Sequence, residues 1–305
     1  MKSMTLFSAI LLLTAGSVVL IGCAVQTPSS PDTESMAADI DSLVATHEGA
    51  IVSVSVVDPS TNLVWQRDGD RLYHAASTMK VPVLIELFRQ AGQGRFELND
   101  EIVLKNEFRS IVGGSLYSIE DDSDDAIYEQ LGQPMTLRQL AYNMTTVSSN
   151  LATNLLINFL DADSVQATSE RLGTRLMQTI RGVEDLKAFE RGMSNRATSA
   201  DLAVLMDHLR AGTAVSVEAD STMRDILMDQ VFNSMIPNGM PPGTAVAHKT
   251  GSITEIHHDA AIVYPEGGEP YVLVIMTEGI ADHDESSALG SAIAARVHKE
   301  LRGAS

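Results

Sequence analysis

Ser77 and Lys80 stand three residues apart at the head of an apolar run, Val81 to Phe88, and no other serine in the chain has a lysine at that spacing. With Ser77 read as the N-cap of a buried helix, hydroxyl and ammonium share one helical face about one turn apart. A serine hydroxyl attacks poorly until a neighbour takes its proton, and a lysine desolvated by apolar walls loses pKa and can take it. The helix N-terminus adds positive potential where negative charge would develop. Pro82 suits the first turns, where a missing N–H costs little. The pair is therefore a nucleophile beside a base. The plainer alternative is an ordinary cap with a snorkelling lysine, which this spacing alone does not exclude.

Two further polar stretches follow in a fixed order, Ser148-Ser149-Asn150 and Lys249-Thr250-Gly251. Serine with lysine three on, then Ser-x-Asn, then Lys-Thr-Gly is the signature set of class A β-lactamases and penicillin-binding proteins. From roughly residue 36 to its C-terminus the chain resembles that superfamily, and most closely the class A serine β-lactamase-like hydrolases. The resemblance implies that Ser77 attacks the carbonyl and Lys80 serves as base. Ser148 would protonate the leaving nitrogen, and Asn150 would hold the substrate's amide. Lys249 and Thr250 would bind a substrate carboxylate, while Gly251 lets the backbone approach closely. The N–H of Ser252, with that of Ser77, would form the oxyanion hole, each donor typically worth about 3 kcal/mol in the transition state.

A deacylation base is expected on a loop after the Ser-x-Asn helix, and Glu184 lies at the interval the family uses. Asp185 competes for the role. The loop departs from the family pattern: Arg181 is shifted by one, Lys187 and Ala188 occupy the region of an asparagine helper, and Asn195 replaces the aspartate that would pair with the arginine. Asn154 matches a family asparagine that ties the loop down. Ser149 also departs, since aspartate is usual there, and this keeps a D-alanyl-D-alanine carboxypeptidase or esterase in play beside the β-lactamase. A third possibility is a penicillin-sensing domain that acylates once and holds. Lysine and glutamate both remain open as the acylation base.

The elements that must position these residues are legible from patterning. Ser35 to His47 reads as helix, Ala50 to Val57 as a partly alternating strand, and Leu63 to Gln66 as its hairpin partner across a turn whose Ser60-x-Asn62 precedes Ser77 and so fails on order. Leu84 to Val231 is mostly helical, with Thr136 to Met144 and Leu151 to Phe159 flanking the Ser-x-Asn joint. Thr244 to Ser252, Ala260 to Tyr264 and Tyr271 to Thr277 read as strands, and Glu285 to Leu301 as a closing helix. The fold class expected is α/β (α+β): a mostly antiparallel sheet from both ends of the chain, flanked by helices, with an all-helical insertion and the site between them. The corresponding segments are 36–95, 96–235 and 236–305.

Residues 1–22 read as a targeting segment, with Lys2 at its start, an apolar run from Leu6 to Ile21, and Leu20-Ile21-Gly22-Cys23 as a lipoprotein cleavage box. Cys23, the sole cysteine, becomes a lipidated first residue and residues 23–35 a tether, giving an exported, envelope-facing protein. The net charge of -19 argues against nucleic acid as a partner. The acidic run Glu120-Asp121-Asp122-Ser123-Asp124-Asp125 reads as a solvated loop, lacking the spaced ligands of a calcium site. Adjacent His257 and His258 on a strand point to opposite faces, a poor metal pair. No metal or cofactor is expected. The expected partners are a small β-lactam or peptidoglycan-like substrate and the lipid on Cys23, with the chain acting as a monomer.

Overall fold

The computed structural model describes residues 30–303, so the expected targeting segment, Cys23 and most of the tether lie outside the described residues. Helix α1 (Thr33–Ala45) starts where the Asp32 side chain accepts the Ser35 amide at 3.0 Å, and it buries Met36, Ile40 and Val44, four residues apart on one face. Strands β1 (Ile51–Asp58) and β2 (Leu63–Arg67) form the expected hairpin, with Val56 opposite Trp65. At its turn the Asp58 carboxylate accepts the Ser60 amide and the Ser60 and Thr61 hydroxyls, and it is clamped by Arg302 through two 2.9 Å bonds. Ser60 is thus turn chemistry.

Helix α2 (Lys80–Gly92) is buried almost all round, which marks a central rather than a surface helix. Helices α3 (Leu137–Thr146) and α4 (Asn150–Leu160) follow, then α5 (Ser199–Ala211). The C-terminal part supplies β3 (Ala245–Ile253), β4 (Ile256–Tyr264), β5 (Tyr271–Glu278) and the closing helix α6 (His283–Arg302). The five strands form one antiparallel sheet in the order β2-β1-β5-β4-β3, so the two ends of the chain meet where β1 pairs with β5. The middle region is helical but not wholly so: short pairs join 101–103 to 134–136 and 108–109 to 116–117. A third, Tyr73–His74 with Arg196–Ala197, ties the strand before Ser77 to the far end of the loop carrying Glu184.

Strand alternation explains the two cores. Val52, Val54 and Val56 face the core shared with α1 and α6, along with Leu273 and Ile275. Between them, Ser53 and Ser55 face the other side, where Ser55 Oγ meets Ser199 Oγ at 2.9 Å and Ser53 Oγ meets the Tyr73 hydroxyl at 2.8 Å. On that side Val272, Val274 and Met276 join the core built on α2. β5 is apolar on both faces because it is central and covered twice.

Candidate active site

Ser77 does not cap a helix. It sits inside a 3₁₀ turn, Ala76–Met79, that runs directly into α2 at Lys80. The turn is set upstream: Ala76 has φ 45° and gives its amide to His74 Nδ1 at 3.0 Å, while the Ala75 carbonyl accepts both the amide and the hydroxyl of Thr78. The Ser77 hydroxyl is thereby spared from capping. It opens on a cleft of two lobes, of about 570 and 1020 Å³, whose linings share Ser77, Asp121, Asn150 and Ser252.

Lys80, 1% exposed, is aimed across the base of the cleft. Its Nζ donates to the Ser148 carbonyl at 2.6 Å, to Ser148 Oγ at 3.1 Å and to Asn150 Oδ1 at 2.9 Å. Lys249, fully buried on β3, donates to the same Ser148 Oγ at 3.0 Å and to the Thr250 carbonyl at 2.9 Å. Burial lowers the Lys80 pKa to about 7 against the pull of Asp122 and Glu184. Burial, and then the charge of Lys80, take Lys249 well below the usual lysine range. Two ammonium groups converging on one hydroxyl repel, which favours releasing a proton from one of them.

Ser148 holds φ 60° at the joint between α3 and α4, a left-handed conformation costing a non-glycine residue about 1–3 kcal/mol. Ser149 caps α4 by accepting the Ala152 amide at 3.3 Å. A carboxylate reaches the same helix end from the acidic run. Asp122 Oδ1 accepts the Asn150 amide at 2.8 Å, and its Oδ2 accepts the Leu151 amide and the Tyr128 hydroxyl at 2.9 Å each. The expectation of a merely solvated loop is corrected at this point: unpaired N–H groups at the start of α4 draw the loop in. Asp124 is buried, against Asn143 Nδ2 at 2.9 Å. Asp122 and Ser149 thus cap α4 together. No local spacing announces a cap delivered from so far upstream.

The same loop grips Glu184. Oε2 of Glu184 accepts the amides of Glu120 at 3.2 Å and Asp121 at 3.5 Å, and Oε1 accepts Asn150 Nδ2 at 2.8 Å. Partial burial raises its pKa against those three donors. Asn150 therefore bridges Lys80 and Glu184 through the two ends of one amide. Asp185 goes elsewhere: its carboxylate accepts the Ala188 amide at 3.1 Å and the Ile111 amide at 2.9 Å. Asn154 holds the loop as expected, accepting from Val183 N at 2.6 Å and donating to its carbonyl at 3.0 Å. Gly182 permits this, since a Cβ there would lie 2.3 Å from Asn154 Oδ1. At the neck, Asn195 accepts from the Ile180 and Arg181 amides, and the Arg181 Nε turns to the Met193 carbonyl at 2.7 Å. Lys187 reaches Ser115 Oγ at 3.3 Å instead of Glu184.

β3 presses on the Ser77 turn at Gly251, where a Cβ would stand 2.8 Å from the Thr78 amide nitrogen and 2.9 Å from that of Ser77. Gly251→Ala is expected to push the strand and turn apart and lower stability by about 1–3 kcal/mol, measured by denaturant unfolding. Unchanged stability would mean that the two elements part without cost. On β4 the two histidines diverge as alternation requires. His258 receives the Thr277 amide at Nδ1 (3.2 Å) and directs Nε2 to the His74 carbonyl (3.0 Å), bracing the strand that leads to Ser77, whereas His257 lines the smaller lobe.

Residues 35–301 match the β-lactamase enzyme family. A β-lactamase of Rhodobacter capsulatus is 25% identical over 286 residues, covering 91% of this chain and 92% of its own. The crystal structure of a β-lactamase from Sphaerobacter thermophilus superposes with a TM-score of 0.75 at 26% identity, over 88% of this chain and 97% of that one. The structure of PBP-A shares the fold, with a TM-score of 0.78 at 24% identity over the same shares.

Proposed function

The chain belongs to the class A β-lactamase family of serine hydrolases, and on that premise we propose that it opens β-lactam rings through an ester on Ser77. The observation that carries the reading is the unbroken hydrogen-bonded line from Lys80 through Asn150 to Glu184, with Ser148 shared by both buried lysines. Lys80 as free amine, or Glu184 through a water, takes the Ser77 proton as oxygen attacks the ring carbonyl. The N–H groups of Ser77 and Ser252 receive the developing oxyanion. Ser148 passes its proton to the departing ring nitrogen and regains one from Lys80 or Lys249. Thr250, backed by the charge of Lys249, holds the substrate carboxylate.

A slower reading draws support from Glu184 itself. Both of its oxygens are already engaged by three donors, which leaves less of the carboxylate free to orient a water and suits a carboxypeptidase, or a sensor that keeps its acyl group. Turnover separates them. Continuous hydrolysis of a chromogenic cephalosporin is the expected result; D-alanine release from a D-Ala-D-Ala peptide, or one stoichiometric acylation without turnover, would replace the β-lactamase reading.

We also propose export and lipidation at Cys23, from the Leu20-Ile21-Gly22-Cys23 box and the polar stretch behind it. Cells are expected to carry the protein in the membrane fraction with fatty-acid label, and Cys23→Ser to release or mislocalise it. Unlabelled, soluble wild type would overturn this.

A further inference from the structure

The smaller lobe of the cleft ends, beyond Thr250 and Ser252, on two stacked imidazoles. His257 is 4% exposed, and its ring lies 3.9 Å from that of His283 with 30° between the planes. His283, the first residue of α6, is exposed, and its Nε2 stands 2.9 Å from Ser252 Oγ. From below, Ser287 Oγ meets His257 Nδ1 at 3.3 Å and Ser234 Oγ at 3.1 Å. Burial, with a smaller push from His283, lowers the His257 pKa to about 4, so the supporting ring stays neutral near pH 7 and the stack is not two cations face to face.

The lobe is otherwise badly furnished for an anion. Among the described residues lining it there is no lysine or arginine, while Asp121 and Asp122 contribute carboxylates. Lys249 lies beneath, its ammonium turned to Ser148 and the Thr250 carbonyl. A substrate carboxylate must therefore be recognised largely by hydroxyl donors, and a hydroxyl helps an anion only if its hydrogen points outward. A second donor on the same oxygen enforces that sense.

We propose that His283, steadied by the His257 ring, is a specificity-determining residue for anionic substrates: its Nε2–H donates to Ser252 Oγ and so commits the Ser252 hydroxyl to donate to the substrate carboxylate. With the opposite tautomer the imidazole would absorb the Ser252 hydrogen and leave the carboxylate facing oxygen lone pairs. The inference rests on Ser77 as the acylated serine and adds what that site selects.

The test compares a cephalosporin bearing its free carboxylate with its neutral methyl ester, on wild type, His283→Ala, His283→Gln and Ser252→Ala. His283→Ala is expected to raise KM for the acid about tenfold with little change in kcat, while KM for the ester holds. His283→Gln, which keeps an N–H donor without a ring, restores most of the loss. Ser252→Ala copies the defect, and the double variant adds nothing further, because the two residues act as one. An acid-to-ester ratio unchanged in His283→Ala, additive losses, or no rescue by glutamine overturns the proposal while acylation of the ester by wild type leaves Ser77 standing. Wild type that acylates with neither compound removes the Ser77 reading and this inference with it.

Discussion

Replacing Ser77 by alanine will abolish covalent labelling by a fluorescent penicillin, and replacing Lys80 by alanine will slow it by roughly 10²–10⁴-fold, the usual worth of a positioned base. Lys80 sits in a site that lowers its pKa to about 7, the desolvation cost outweighing the attraction of Asp122 and Glu184. Below that pH the amine holds its proton and cannot accept another; above it the free amine dominates. Acylation of wild type should therefore rise with pH through about 7 and level off, and Lys80→Arg, which keeps a cation but never yields a proton, should be as slow as Lys80→Ala. Labelling that survives in Ser77→Ala would show that the nucleophile lies elsewhere. A wild-type profile flat from pH 5 to 9 would remove Lys80 as a base while leaving it a role in orienting Ser148.

Glu184→Gln is expected to acylate and then stall, accumulating an adduct visible by intact mass for hours, whereas wild type clears the same adduct quickly. Hydrolysis of a shielded ester needs a carboxylate to activate one water, and the amide keeps the shape without the base. Glutamine can still accept from Asn150 Nδ2 through Oε1, so the Asn150 link to Lys80 survives and acylation with it. The deacylation rate should fall by about 10²–10⁴-fold. Asp185→Asn is the control. That carboxylate caps the turn Leu186–Phe189 and holds the Ile111 amide, so its loss should cost about 1 kcal/mol of stability and leave turnover largely intact. Rapid clearance by Glu184→Gln together with a stalled Asp185→Asn would reverse the two assignments.

Much of the scaffold was legible because its causes are local. The alternation in 51–57, the apolar run after Lys80 and the turn at 58–62 are set by residue spacing within each segment, and each forms the element expected of it. Opposite faces for His257 and His258 follow from strand geometry alone. Ser77 departs from the expected cap for a comparably local reason: serine before an apolar run is what a cap wants, but the positive φ of Ala76 and its bond to His74 impose a 3₁₀ turn first.

By itself the amino-acid sequence determined the reactive groups, their order, and the helices and strands that carry them, since spacings of three or four residues are set by covalent geometry. Only the tertiary structure decided which groups meet. Lys80 and Lys249 are 169 positions apart in the chain and share one hydroxyl oxygen. Asp122, read as solvated, closes a gap of 28 residues to cap the helix of Asn150, and Glu184 rather than its neighbour turns to that asparagine. Such pairings come from packing two cores against one sheet, which leaves buried N–H groups and ammonium ions that must find partners wherever the chain brings them.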